Sequence, residues 1–312
     1  MTKKIISIVT PTFNEIDNIE LLLNRIRGVI APLDQYDFEI LVIDNCSNDG
    51  TQEKIRELAI QDIRIKAIFN ARNFGHIRSP YYGILQSTGV ATIYMASDFQ
   101  DPPEIIPQFI EEWEKGWRLV MAVKPATEGS QLMHILRKTY YRIIDRISDV
   151  SILRDSTGFG LYDKLVLDDL RKINDPYPFL RGLICELGYP IKAIPFIQPR
   201  RIGGITKNNF YTLFDIAMLG IVSHSKIPIR IAALIGFSLG AISILVATYY
   251  LIMKLILWDS FPLGGAPAII GLFFLLGVLL LWIGILGEYI GSIHTYVQNR
   301  PIVVEKERIN FE

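Results

Sequence analysis

Two stretches of the chain carry no charge over lengths that few water-soluble folds accommodate: "IAALIGFSLGAISILVATYYLIM" at 231–253 and "AIIGLFFLLGVLLLWIGILG" at 268–287. About 20 consecutive apolar residues cross a bilayer as a helix, so both runs qualify. A buried core helix passes the same test, but two adjacent runs of this length point to a membrane hairpin. Lys226 and Arg230 precede the first run, and Arg300, Lys306 and Arg308 follow the second. The connecting loop holds only Lys254, Asp259 and a "PLGGAP" turn, so the bias of positive charge puts both chain ends in the cytoplasm. The expected layout is a cytoplasmic domain at 1–206, a juxtamembrane amphipathic helix at 207–228, spans at 229–256 and 265–290, and a cytoplasmic tail at 291–312. That describes a multi-pass protein of the inner (plasma) membrane, whose two thin spans leave room for association with a second copy.

The remaining composition narrows the classes further. A formal net charge of +0 over 312 residues implies no domain-wide basic field, so nucleic acid is not an expected partner. Cys46 and Cys185 lack metal-ligand or redox spacing and suit a reducing compartment. The opening "MTKKIISIVTPTFNE" has the lysines of a signal peptide, but its apolar run is short and broken by Pro11 and Glu15, so it reads as a first strand. Neither span carries an interior ionisable residue, so no ion path is apparent.

Up to about residue 125, short apolar runs alternate with helical patterns. "IISIVT", "FEILVID", "IKAIF", "VATIYM" and "LVMAV" are the expected strands of a mostly parallel α/β sheet. Burial on both faces explains their unbroken apolar character. Beyond them, "QLMHILRKTYYRIIDRI" has helical spacing, with Lys138, Arg142 and Arg146 on one face. A solvated face and contact with anionic headgroups both account for that stripe. Residues 210–221, with Phe210, Leu213, Phe214, Ala217, Met218 and Ile221 on one side, read as an interfacial helix.

Open α/β sheets bind ligands at the carboxyl ends of their strands, and here those ends are acidic. "TPTFNE" follows the first strand, "DNCSNDG" closes the second, and "SDFQDPPE" follows the fourth. Glu15, Asp44 and Asp98 are thereby expected at one crevice. Clustered carboxylates repel unless a cation lies near them. A divalent ion sharing its shell with a diphosphate meets that need, which points to Mg2+ or Mn2+. Glycine-rich phosphate cradles are missing, since "GFG" at 158–160 matches neither the dinucleotide nor the P-loop pattern.

The ordered set "TPTFNE", "VIDNCSNDGT", "ARNFGH", "SDFQDPPE", "DSTGFGLYDK" and "RIGGITK", followed by two spans, resembles the family 2 glycosyltransferases of the GT-A, Rossmann-like fold. Within them it is most similar to the polyprenyl-phosphate enzymes, the bactoprenol glucosyltransferases and the dolichol-phosphate mannosyltransferases. The resemblance implies an inverting, metal-dependent transfer of a sugar from a nucleotide sugar to a polyprenyl phosphate, with UDP-glucose favoured over GDP-mannose or a UDP-linked aminoarabinose. It implies that Pro11, Phe13, Glu15 and Asp44 form the nucleotide pocket, and that Asp98 and Gln100 hold the metal and diphosphate. Arg201 and Lys207, with Gly204 and Thr206, match an acceptor-phosphate loop, Lys124 and Arg137 are further candidates for it, and Asp155 is expected to bond the donor sugar, orient a cation or cap a helix or turn. Asp101 and Asp163 are expected to be structural, Asp101 as a cap of the helix opened by Pro102 and Pro103.

Two departures stand out. Ala96 occupies the first position of the family's D-x-D pattern, which leaves Asp98 as the main carboxylate. Gly160 stands where dolichol-type members carry an arginine. Processive synthases of the same fold carry Q-x-x-R-W, and this chain has no Arg-Trp pair.

Overall fold

A computed structural model describes residues 3–124, 153, 156–199, 227–256 and 265–311. The expected strands form as β1 (Lys4–Thr12), β2 (Tyr36–Asp44), β3 (Ile65–Asn70), β4 (Ala91–Tyr94) and β5 (Leu119–Val123). Three more complete the sheet: β6 (Ser156–Asp163), β7 (Ile191–Pro195) and β8 (Glu305–Ile309). Their spatial order is β7-β5-β6-β4-β1-β2-β3-β8. β6 runs antiparallel to β4 and β5, and β8 runs antiparallel to β3, while the other pairings are parallel.

Helices cover both faces: α1 (Ile16–Ile30), α2 (Thr51–Gln61), α3 (Gly75–Leu85), α4 (Ile106–Glu114), α5 (Lys164–Lys172) and α6 (Leu180–Glu186). Alternate residues of each strand feed two cores. Ile6, Ile8, Ile40, Val42 and Phe69 pack with α1, α2 and α4, whereas Val9, Leu41, Ile43 and Ile68 pack with Tyr81, Ile84 and Leu167. Both sets are fully or almost fully buried, which is why the strands read as continuous apolar runs.

The chain runs from β1 outward through β2 and β3, then returns to place β4 on the other side of β1. This reversal makes β1 and β4 the switch point of the sheet, where open α/β sheets bind their ligands at the carboxyl ends.

Two long helices follow, α7 (Ile227–Ile256) and α8 (Gly265–Val297), and they lie against each other. Within the described residues, Phe274–Val297 is long and apolar enough to cross a membrane, with mean hydropathy 2.0 and none of it buried in the protein. Ile227–Ile242 is a shorter apolar stretch. α8 extends seven residues past the expected end at 290, and the tail after it is not loose chain, because β8 adds to the edge of the sheet. Arg56 of α2 holds Glu307 of β8 at 2.8 Å, and Tyr82 of α3 donates to Glu305 at 2.8 Å.

Candidate active site

The loops after β1 and β2 are stitched into one rigid rim. Thr12, the last residue of β1, lies opposite Asp44, the last of β2, and Pro11 lies opposite Ile43. The Asn14 amide donates to Ser47 Oγ at 2.8 Å, and the Asn48 amide donates back to Asn14 Oδ1 at 2.9 Å. The Glu15 amide donates to Thr51 Oγ1 at 3.0 Å, and Asp49 accepts from the Ile16 amide at 3.2 Å. Glu15 itself opens α1, as its sequence position suggests, and its carboxylate accepts from Asn18 Nδ2 at 2.6 Å. Phe13 is carried by this rim between Pro11 and Glu15.

Asp44 is fully buried. Its Oδ2 accepts from the Ser47 amide at 3.0 Å and from Gln52 Nε2 at 2.8 Å, while Oδ1 has no hydrogen-bond partner. Burial pushes its carboxyl above the usual range, against the hydrogen bonds from Ser47 and Gln52. Thr10 and Thr12 share that face of the sheet, and their buried hydroxyls also lack partners. Unsatisfied buried polar atoms are rare in folded proteins, so this row at the strand ends has bonding capacity that water or a polar ligand could fill.

Five described non-glycine residues adopt left-handed backbone, and three of them belong to these loops: Asn14 at φ 55°, Cys46 at 65° and Phe99 at 61°. These three sit in the loops after β1, β2 and β4. Such conformations store about 1–3 kcal/mol each and gather at functional sites.

The β4 loop carries the remaining carboxylates. Asp98 is partly exposed and its Oδ1 accepts from the Gln100 amide at 3.1 Å. Asp101 does not cap the following helix. Its Oδ2 instead accepts from the Ala96 amide at 2.9 Å, closing the loop on itself, and Pro102 takes the cap position. Burial raises the Asp101 carboxyl to about 7, with the Ala96 amide and Lys124 acting against the shift and the Asp98 charge adding to it. Lys124 follows β5, and its charge acts on this loop. Asp163 is structural, as expected: it caps α5 through the Leu165 amide at 2.9 Å and accepts from Trp113 Nε1 at 2.7 Å.

Among the described residues no group of three or more His, Cys, Asp or Glu side chains encloses a metal position. One accessible carboxylate beside Gln100 suits a hard cation that draws most of its shell from phosphate and water, the manner in which Mg2+ usually binds.

Sequence reasoning did not identify the cavity on the other face of the sheet. It has a volume of about 260 Å³ and is lined by Tyr94, Gly158, Phe179 and Arg181, among others. Arg181 donates to the Ser156 carbonyl at 3.1 Å, and its charge and those of Asp98 and Asp101 all bear on Tyr94. No local motif signals Arg181, because only the pairing of β4 with β6 brings α6 to the site. The pairing of β6 with β5 explains Gly160: a Cβ there would lie 2.4 Å from the Val120 carbonyl oxygen, so an arginine has no room. Arg137, Asp155, Arg201 and Lys207 lie outside the described residues, as do the basic stripe and the 210–221 segment.

A family model for glycosyl transferase family 2 matches residues 7–171. The SfII prophage-derived bactoprenol glucosyl transferase of Shigella flexneri is 32% identical over 308 residues, covering 97% of each chain. A prophage bactoprenol glucosyl transferase homolog of Escherichia coli is 30% identical over 306 residues, covering 96% of this chain and 98% of its own. Among solved structures, a mannosyltransferase from Pyrobaculum calidifontis in complex with GDP-Man and Mn2+ aligns with TM-score 0.48 and 16% identity, covering 96% of this chain and 89% of that one.

Proposed function

The chain belongs to glycosyl transferase family 2 and is a glycosyltransferase, and from that premise we propose that it transfers glucose from UDP-glucose to a polyprenyl phosphate at the cytoplasmic face of a membrane. The likeness to bactoprenol glucosyl transferases along nearly the whole length of both chains carries this reading.

In the proposed reaction a lipid phosphate oxygen attacks the anomeric carbon from the face opposite the leaving group. The bond from that carbon to the diphosphate breaks, nucleoside diphosphate departs, and the configuration inverts. A phosphate monoester, with a second pKa of about 6, is already largely dianionic near neutrality. It needs no strong general base, so the protein's task is to position two anions and screen their repulsion.

Pro11, Phe13, Glu15 and Asp44 would hold the nucleotide, and the unpartnered atoms of Thr12 and Asp44 support a polar ligand there. Asp98 with Gln100 would hold Mg2+ or Mn2+, which would neutralise the leaving diphosphate. Arg201 and Lys207, with Lys124 and Arg137, would receive the acceptor phosphate, and Asp155 would meet the donor sugar. The action of the Lys124 charge on Asp101 supports its share of this role.

Membrane attachment through both helices has a topological argument in its favour. β7 and β8 belong to one sheet, so the chain between Pro195 and Glu305 crosses any bilayer an even number of times. α7 has 30 residues and α8 has 33. At about 1.5 Å per residue both exceed the hydrocarbon thickness of about 30 Å. Leu234, Phe237 and Leu280 are 67%, 79% and 66% exposed, which lipid accommodates and water does not.

The test is transfer by the purified protein to undecaprenyl phosphate from a panel of nucleotide sugars with Mg2+ or Mn2+. UDP-glucose is expected to serve. Transfer from GDP-mannose or a UDP-linked aminoarabinose alone would replace the donor assignment, and no transfer to the lipid from any donor would overturn the acceptor.

A further inference from the structure

A second cavity of about 420 Å³ lies where the end of α8 meets the start of α3. Arg72, Arg78 and Arg300 line it, together with Thr295 and Gln298 from the end of α8 and its exit. Asn174 donates to Asn299 Oδ1 at 3.0 Å, so the foot of the helix is latched to the catalytic domain beside this opening.

Elsewhere on the surface Arg25, Arg27, Arg56, Arg64, Arg171 and Arg308 each meet a carboxylate. Among the described residues no carboxylate pairs with Arg72, Arg78 or Arg300. Arg72 donates to the Asn73 carbonyl at 3.2 Å and stacks on Phe74 at 4.1 Å, and Arg78 stacks on Tyr177 at 5.2 Å. The Nε of Arg78 is buried without any acceptor. Leaving a charged donor desolvated and unbonded is unfavourable, and gathering like charges around one cavity adds to it, unless an anion supplies the acceptor. The helix end does not explain the arrangement, because none of the three donates to a described carbonyl of α8.

We propose that this cavity, whose lining includes none of the residues assigned to the nucleotide pocket, is a phosphate-binding site that takes the headgroup phosphate of an anionic membrane lipid. Planar guanidinium groups match phosphate oxygens in pairs, and rings stacked on two of them hold them in place. The location selects the source: the site opens at the foot of the most apolar exposed helix, where headgroups lie when that helix spans a bilayer. The inference rests on the membrane reading above but not on the donor or acceptor assignments.

The experiment measures binding to the purified full chain in neutral detergent, with short-chain phosphatidylglycerol, phosphatidylcholine of the same chain length, and inorganic phosphate as probes. Phosphatidylglycerol is expected to bind more tightly than phosphatidylcholine, and R78Q/R300Q to weaken it by about tenfold or more, the loss expected from removing charge-assisted hydrogen bonds. R78K/R300K, which keeps the charge but not the fork, should fall between and covers the case in which the first variant does not fold. Inorganic phosphate binding as tightly as the lipid, with the same dependence on Arg78 and Arg300, would assign the site to free phosphate. Equal binding of both lipids, or unchanged phosphatidylglycerol binding in both double variants, overturns the proposal. Asp98→Asn should retain the lipid effect in full, so failure of the crevice assignment and failure of this one are told apart.

Discussion

The Ala96 amide donates to the Asp101 carboxylate across the loop that carries Asp98, at 2.9 Å. Ala96 contributes no ligand of its own, yet its backbone is what Asp101 uses to shape the turn. Asp101→Ala strands that part-buried amide, at a cost of about 1 kcal/mol. It should lower both the thermal midpoint and the turnover of sugar transfer. Asp101→Asn keeps an acceptor oxygen for the amide and should recover most of the midpoint. Equal loss in the two variants, read by thermal unfolding, would remove the positioning role of this bond.

Gly160 supplies a steric prediction. It pairs with Tyr94 and Met121 in the middle of the sheet, where an added Cβ would meet the Val120 carbonyl at 2.4 Å and Met121 Sδ at 2.8 Å. Gly160→Ala should destabilise the catalytic domain by about 1–3 kcal/mol, the usual range for overpacking. Gly160→Arg should abolish folding and not restore an arginine contact. Denaturant unfolding of the alanine variant decides the first statement, and recovery of soluble, folded arginine variant would contradict the second.

Much of this was open to sequence reasoning, for a definite physical reason. Strands buried on both faces must be apolar throughout, so β1 to β5 show themselves, and the polar loops at their ends follow in order. β6 escapes that logic because Gly158 and Gly160 dilute its apolar signal. β8 escapes it because "EKERI" is an edge strand, and charges there guard against unwanted pairing while Arg56 and Tyr82 bind two of them. The left-handed residues Asn14, Cys46 and Phe99 carry no composition signal, since none is glycine. Arg181 reaches the site only through long-range pairing, which no local window contains.

Glu39 provides a pH dependence. It is buried at the far end of β2 and accepts from Lys66 Nζ at 2.6 Å, from the Thr88 amide and hydroxyl at 2.8 Å each, and from Ser7. Burial alone would raise its pKa, but the bonds from Lys66, Ser7 and Thr88 outweigh burial and hold it below the usual value. A folded-state pKa below the unfolded one means that the unfolded chain takes up the proton first. The stabilisation is therefore present above an unfolded pKa of about 4.3 and is lost as pH falls through the lower folded value. Glu39→Gln should be less stable than the parent at pH 7 by about 1–3 kcal/mol, because the bonds from Lys66, Ser7 and Thr88 lose their charged acceptor. The gap should narrow below about pH 4, where the parent's carboxylate is also neutralised. A constant gap from pH 7 to pH 3 would show that charge plays no part.

The last prediction concerns how the cation and the donor depend on each other. Asp98 is the accessible carboxylate of the β4 loop, one of its oxygens is engaged by the Gln100 amide, and Ala96 adds no second carboxylate. A protein site with so few ligands binds Mg2+ or Mn2+ weakly, whereas a nucleotide sugar brings diphosphate oxygens that complete the shell. Titration of Mn2+ into the protein should therefore give weak binding alone and binding tighter by about tenfold or more when UDP-glucose is present. Linkage requires the reciprocal effect, so Mn2+ should tighten the nucleotide sugar by the same factor. Asp98→Asn should erase the coupling while leaving the thermal midpoint close to the parent's, and transfer should fall by about 10²–10³, the range seen when one stabilising group of an active site is removed. Tight Mn2+ binding to the empty protein would mean that further ligands exist beyond Asp98 and Gln100. Coupling that survives in Asp98→Asn would move the cation to another part of the crevice.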